Sequence, residues 1–126
     1  MPRHNTFPKS GRLLANRQFR AVYARRLSAR DELLVVHACE NDFGRPRIGI
    51  SIGKSCGTAV VRNRLKRLLR EAFRQNKRLI PTGFDYVVSM SYKFRSQTQE
   101  EAKQPTFEQI RDSFIALAAR VAGPGA

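Results

Sequence analysis

Apolar residues along the chain fall into runs of two different periods. Arg17 to Tyr23 places Phe19, Val22 and Tyr23 at i, i+3 and i+4 after Asn16, a candidate N-cap, which predicts a short amphipathic helix. Leu33 to Cys39 is a compact apolar run, and Arg47 to Ile52 alternates strictly, with Ile48, Ile50 and Ile52 on one face and Gly49 and Ser51 on the other. The two read as antiparallel strands joined through a turn from Asn41 to Pro46. After Gly57 and the candidate cap Thr58, the segment from Ala59 to about Lys77 has no Pro or Gly and spaces Val61, Leu65, Leu68 and Ala72 by 4, 3 and 4, which predicts a long helix. Pro81 and Gly83 end it, and Asp85 to Ser91 returns to alternation, with Tyr86, Val88 and Met90 on one face. Arg95 to Pro105 is polar and reads as a loop. Thr106 and Gln109 then make a capping box for a last helix carrying Phe107, Ile110, Phe114, Leu117 and Val121, which Gly123 and Pro124 stop. This order predicts an α+β fold, a small mostly antiparallel sheet packed with three helices, rather than a bundle. Residues 1–11 read as a mobile basic N-terminal arm, 12–122 as a single compact domain and 123–126 as a tail.

Length allows one core: 126 residues, 41% of them hydrophobic. Charge changes the picture more, since 24 Lys and Arg against 10 Asp and Glu give a formal net charge of +14. Residues 1–30 carry eight basic and no acidic side chains, and residues 54–78 carry nine basic and one acidic, whereas residues 79–126 are balanced at five of each. The excess lies in two blocks that a fold can join into one surface for a polyanion. No apolar run approaches the roughly 20 residues that span a bilayer, and the start lacks an apolar signal stretch, so a cytoplasmic protein without a membrane partner is expected. Cys39 and Cys56 have no CxxC spacing and read as small core residues rather than a disulfide or zinc site.

At about 100° per residue, Val61, Leu65, Leu68, Leu69 and Ala72 share one arc of the long helix, and Asn63, Lys66, Arg67, Arg70 and Arg74 the opposite arc. Arg62 and Arg64 border the apolar stripe, and Glu71, the one acid, is placed to pair with Arg67 at i, i+4. Arginine suits phosphate because its planar fork donates two bonds and its charge does not titrate. Asn63 can read a base edge or bridge a 2′-hydroxyl, and Lys54 stands near helix N-terminal N–H groups that favour an anion. On the first helix, Phe19 and Tyr23 beside Arg17 and Arg20 suit unstacked single-stranded bases, although the same spacing also serves a core; His37 is a weaker candidate for that surface. With His4 as the only other histidine, no metal set and no Ser/His catalytic set is assembled, and HExxH and Walker patterns are absent. No catalytic residue, small-molecule substrate or protein-held metal is therefore expected, and a protein-only nuclease lacks the carboxylates it would need.

The run Ala59 to Phe73, AVVRNRLKRLLREAF, resembles the RNR signature helix of the bacterial ribonuclease P protein family. Arg47 to Lys54 with Gly57, Ala59 and Val60 looks like the strand and loop before that helix, Phe19 to Tyr23 with Arg25, Arg26 and Ser28 like the family's first helix, and Asp85 to Ser89 like its last strand. Roughly residues 12 to 92 are covered. The resemblance implies a fold similar to the second domain of ribosomal protein S5, with a left-handed β-α-β crossover where general topology rules favour a right-handed one. It implies a subunit that binds ribonuclease P RNA and precursor tRNA and assists removal of the 5′ leader, with the RNA and its Mg²⁺ ions carrying the chemistry. Arg62, Asn63, Arg64, Lys66, Arg67 and Arg70 would lie in the RNA-contacting helix, and Phe19, Tyr23 and His37 in the cleft for the leader. The chain departs from the pattern at His37, where an aromatic is usual, at Ser55, where a second lysine is common, and at Cys56, where an aliphatic is common. The alternatives are another RNA-binding protein of ribosomal type, which needs no leader cleft, and a membrane- or DNA-associated module, against which the absence of Trp and of a free apolar side argues.

Overall fold

The computed structural model describes residues 11–13, 15–42, 44–96 and 104–122. Helix α1 (Asn16–Arg25) leads into strands β1 (Leu27–Arg30), β2 (Leu34–Glu40) and β3 (Arg47–Ser51); helix α2 (Ala59–Gln75), strand β4 (Phe84–Met90) and helices α3 (Tyr92–Ser96) and α4 (Phe107–Ala122) follow. Most of the expected N-terminal arm (residues 1–10), most of the 95–105 loop (residues 97–103) and the 123–126 tail lie outside the described residues.

The sheet order is β1-β2-β4-β3. Strand β2 runs antiparallel to β4, from Leu34 opposite Met90 to Glu40 opposite Phe84, and β3 runs parallel to β4, from Arg47 opposite Asp85 to Ser51 opposite Ser89. The expected β2–β3 hairpin is therefore wrong, because β4 lies between the two. The reason is burial: Asp85, Tyr86, Val87 and Val88 are all buried, so β4 hides both faces and takes a central place, as strands covered on both sides do. The turn from Asn41 to Pro46 spans about 10 Å, two interstrand spacings. Asp85 then holds both flanking strands, accepting from Asn41 Nδ2 at 2.8 Å and from Arg47 Nε and Nη2 at 2.8 and 2.7 Å. Strands β3 and β4 are joined through α2, a β-α-β unit between parallel neighbours.

The larger core fills the face covered by α2 and α4. Leu34, Val36, Ala38, Ile48, Tyr86 and Val88 meet Leu65, Leu69 and Phe73 of α2 and Ile110, Phe114 and Leu117 of α4. Phe114 takes the rings of Phe73 and Tyr86 edge-on at 6.3 and 6.1 Å. The capping box of α4 forms as expected: Thr106 N–H donates to Gln109 Oε1 at 2.9 Å, and Gln109 N–H to Thr106 Oγ1 at 3.1 Å. The opposite face carries a small cluster, Leu13, Val22 and Val87 with Phe19 and Cys39, under α1. Helix α1 starts one residue early, with Ala15 as its cap and the Gln18 side chain accepting from Ala15 N–H at 2.8 Å in place of Asn16.

One helix exceeds the three-helix expectation, and one strand had been given no bounds. Strand β1 pairs with β2 (Leu27 opposite Ala38, Arg30 opposite Val35), and α3 runs into the start of the segment read as loop, capped by Ser91 Oγ accepting from Phe94 N–H at 3.1 Å. Cys56 is buried and Cys39 half-buried, both as free thiols.

Candidate nucleic-acid interface

Helix α2 separates packing from exposure. Thr58 Oγ1 caps it by accepting from Val61 N–H at 3.3 Å; Leu65, Leu69, Ala72 and Phe73 are buried, while Asn63, Arg67, Arg70 and Arg74 are exposed. Lys54 is exposed in the short 3-10 turn before it, and Lys66 is half-buried. The two border arginines serve partly as structure: Arg62 Nε donates to the Gly57 carbonyl at 3.2 Å, and Arg64 Nη1 to the Pro105 carbonyl at 3.1 Å, tying α2 to the start of α4. Glu71 does not pair with Arg67. It takes a two-pronged bond from Arg74, with Nε at 3.1 Å, and a further bond from Gln75 Nε2 at 2.6 Å, because the guanidinium fork matches a carboxylate edge to edge. Arg74 holds the Glu71 carboxyl below its usual range. Arg67 and Arg70 thus carry no acidic partner among the described residues, and Arg74 is half neutralised.

On the other face of the sheet, α1 lies along one row of the strand register: Ser28, His37, Val87 and Gly49. Phe19 covers Gly49 so closely that a Cβ there would meet its ring Cζ at 2.7 Å. Phe19 is therefore a packing residue that also lines a cleft of about 120 Å³ with Arg12, Leu13, Ile48, Ile50 and Arg70. Tyr23 is 39% exposed and stands edge-on to His37, ring centroids 4.8 Å apart. Nδ1 of His37 is buried without a hydrogen-bond partner among the described residues. Burial, and then the charge of Arg30, hold the His37 pKa below its ordinary value, so the ring is neutral at pH 7. Arg17 and Arg20 are exposed. Arg25 is engaged with Glu40 through two bonds of 2.9 and 3.0 Å.

The structure thus joins Tyr23 to His37 and sets Phe19 at β3 beside Arg70, linking the two expected surfaces across the β3 edge. Sequence reading missed Arg12, which extends the β3 edge through the Leu13 N–H to Ile48 carbonyl bond of 2.9 Å, and Arg30, on the outward side of the four-residue β1. The alternation of Leu27 and Ala29 against Ser28 and Arg30 was the available signal. Among the described residues, no three His, Cys, Asp or Glu side chains gather as a metal-holding group, and no helix is long and apolar enough to cross a membrane.

Comparison with known proteins places this arrangement. The profile of the family described as Ribonuclease P matches residues 7–121. The ribonuclease P protein component of Thermotoga sp. (strain RQ2) is 36% identical over 118 residues, covering 94% of this chain and 97% of that one. Among solved structures, the ribonuclease P protein from Thermotoga maritima superposes with a TM-score of 0.77 at 36% identity, over 89% of this chain and 98% of that one. The Staphylococcus aureus protein gives 0.73 at 29% identity, over 90% and 97%.

Proposed function

The chain belongs to the ribonuclease P protein family, and from that premise we propose how its two faces serve the ribonucleoprotein that matures tRNA 5′ ends. The exposed face of α2, with Asn63, Arg67, Arg70 and Arg74, binds ribonuclease P RNA, with Lys54, Arg62, Arg64 and Lys66 at its margins. The sheet face beside α1, with Tyr23, His37 and Phe19 and the nearby Arg17 and Arg20, takes the single-stranded 5′ leader of precursor tRNA. The reaction adds water across one phosphodiester, leaving a 5′-phosphate on the tRNA and a 3′-hydroxyl on the leader. The RNA subunit and its Mg²⁺ ions carry that step, and the protein acts in the cytoplasm.

One observation carries this reading: a helix that buries Leu65, Leu69, Ala72 and Phe73 leaves Arg67 and Arg70 exposed without acidic partners among the described residues. Such charge lowers the repulsion between two RNAs, so the ribozyme can hold its substrate at modest ionic strength. The test is the salt dependence of binding to ribonuclease P RNA. Arg67→Gln and Arg70→Gln are each expected to flatten the log–log slope by about 0.7 to 0.9. An unchanged slope in both variants would place the RNA elsewhere.

A further inference from the structure

Between the β1–β2 turn, α3 and the first half of α4 lies a groove of about 700 Å³ that belongs to neither of the surfaces above. Its floor is apolar: Leu33 from the turn, Phe94 from α3, Pro105 before α4 and Ala116 on α4. Along α4 the groove follows Gln109, Asp112, Ser113 and Ala116, spaced i, i+3, i+4 and i+7, a face distinct from the core stripe of Ile110, Phe114, Leu117 and Val121. Two helical turns make it about 10 Å long, the span of three extended residues. The rim is acidic. Asp31, Glu32 and Asp112 line it against one cation, Lys93, so three of the ten acids in a chain of net charge +14 meet here. Asp31 is committed to the fold: Oδ1 accepts from the N–H groups of Leu33 and Leu34 at 2.8 Å each, and Oδ2 from the Ser113 hydroxyl at 2.6 Å. Glu32 and Asp112 stand in exposed pairs, with Lys93 Nζ at 2.9 Å and Arg111 Nε at 2.9 Å. Such pairs contribute little in water, so an incoming cation can replace them.

Sign and place both set the groove apart from the cationic surfaces. Its carboxylates repel phosphate, and α4, which forms one wall, packs on β1 and β2. Arg70 and Phe19 stand at β3, the opposite edge of the sheet, three interstrand spacings or about 14 Å from β1. An occupant must satisfy an apolar floor and an anionic rim together, over the length of a few residues. A Lys or Arg flanked by leucines does both: the apolar side chains and the aliphatic stem cover Leu33, Phe94 and Ala116, and the charged head reaches Glu32 or Asp112. We infer that the groove docks a basic, leucine-flanked peptide segment of a partner protein, at the sheet edge opposite Arg70.

The test is an NMR titration of the isotope-labelled full-length protein with the peptide acetyl-Leu-Lys-Leu-Arg-Leu-amide. Shifts are expected at the amides of Leu33, Phe94, Ser113 and Ala116. Glu32→Gln combined with Asp112→Asn should weaken binding on the order of tenfold, about what two exposed pairs supply. Both side chains are exposed, so this double variant should keep the parent Tm. Glu40→Gln removes an acid at the other end of β2 and should leave binding unchanged. A peptide with Ser in place of each Leu, or with Glu in place of Lys and Arg, should not bind. No shifts, shifts confined to other surfaces, or equal weakening by Glu40→Gln overturns the inference. Binding of spermidine or of the serine peptide as tightly as the leucine peptide also overturns it, since the groove would then read charge alone. Concentration-dependent shifts of the same amides in the free protein would assign the groove to a second copy of this chain and overturn it too.

Discussion

Gly49→Ala tests the seam between α1 and the sheet, where packing and the proposed cleft share one side chain. In the interior of a strand, replacing Gly by Ala ordinarily stabilises by roughly 0.5 to 1 kcal/mol through the unfolded chain. At this position the new Cβ would lie 2.7 and 2.8 Å from Cζ and Cε2 of Phe19 and 3.2 Å from Cβ of Leu13. The ring is the free end of a side chain and can swing outward. Leu13 cannot follow easily, because its N–H is bonded to the Ile48 carbonyl. Overpacking of this kind costs about 1 to 3 kcal/mol, so the net expectation is a loss of about 1 to 2 kcal/mol. A chain of this length should show that as a drop of several degrees in Tm. Urea unfolding gives the stability, and binding of leader-bearing precursor by the holoenzyme reports the displaced ring. In a Phe19→Ala background the same substitution should be neutral or stabilising. A Gly49→Ala protein at least as stable as the parent, with unchanged leader binding, would refute the close approach of Phe19 and its place in the cleft wall.

Asp85→Ala leaves the largely buried Arg47 without its carboxylate and is expected to cost about 3 to 5 kcal/mol in urea unfolding, whereas Glu40→Ala, which breaks an exposed pair, should change stability little; similar losses would contradict the role given to burial. His37, faced by Tyr23 and Arg30, has a folded pKa below the ordinary 6.5, so the folded state binds fewer protons than the unfolded chain. Its contribution to stability is full above that value and is lost as pH falls through the lowered one; His37→Phe should remove this part of the pH slope, and an unchanged slope would show the ring to be freely hydrated. Tyr23→Ala should weaken binding of leader-bearing precursor by about 1 to 3 kcal/mol and spare mature tRNA, and equal losses for the two RNAs would return Tyr23 to a purely structural role.

The long helices were legible because their signals are local. Thr58 caps α2, Thr106 and Gln109 close the box on α4, and both apolar stripes pack into the core, with Val61, Leu68 and Phe107 half-buried at its margin. The strand pairing was not, since neighbours in sequence default to a hairpin. The cue lay in Asp85 to Val88, where buried residues on both faces mark a central strand, and in Asp85, whose bonds reach Asn41 on one side and Arg47 on the other. The choice of Arg74 over Arg67 by Glu71 depends on side-chain geometry that helical spacing alone leaves open. Of the proposed site, the cationic arc of α2 follows from periodicity. The meeting of Tyr23 with His37 and the nearness of Arg70 to Phe19 depend on register and on where α1 docks, which no local pattern encodes.

The most direct measurement is single-turnover cleavage of a 5′-labelled precursor tRNA at low Mg²⁺, with this protein alone, a bacterial ribonuclease P RNA alone, and the two together. Correct 5′ maturation restored only by the mixture is the expected result, and it would assign the chemistry to the RNA and the support to the protein. Cleavage by the protein alone, or no stimulation of the RNA despite tight binding, would contradict the account.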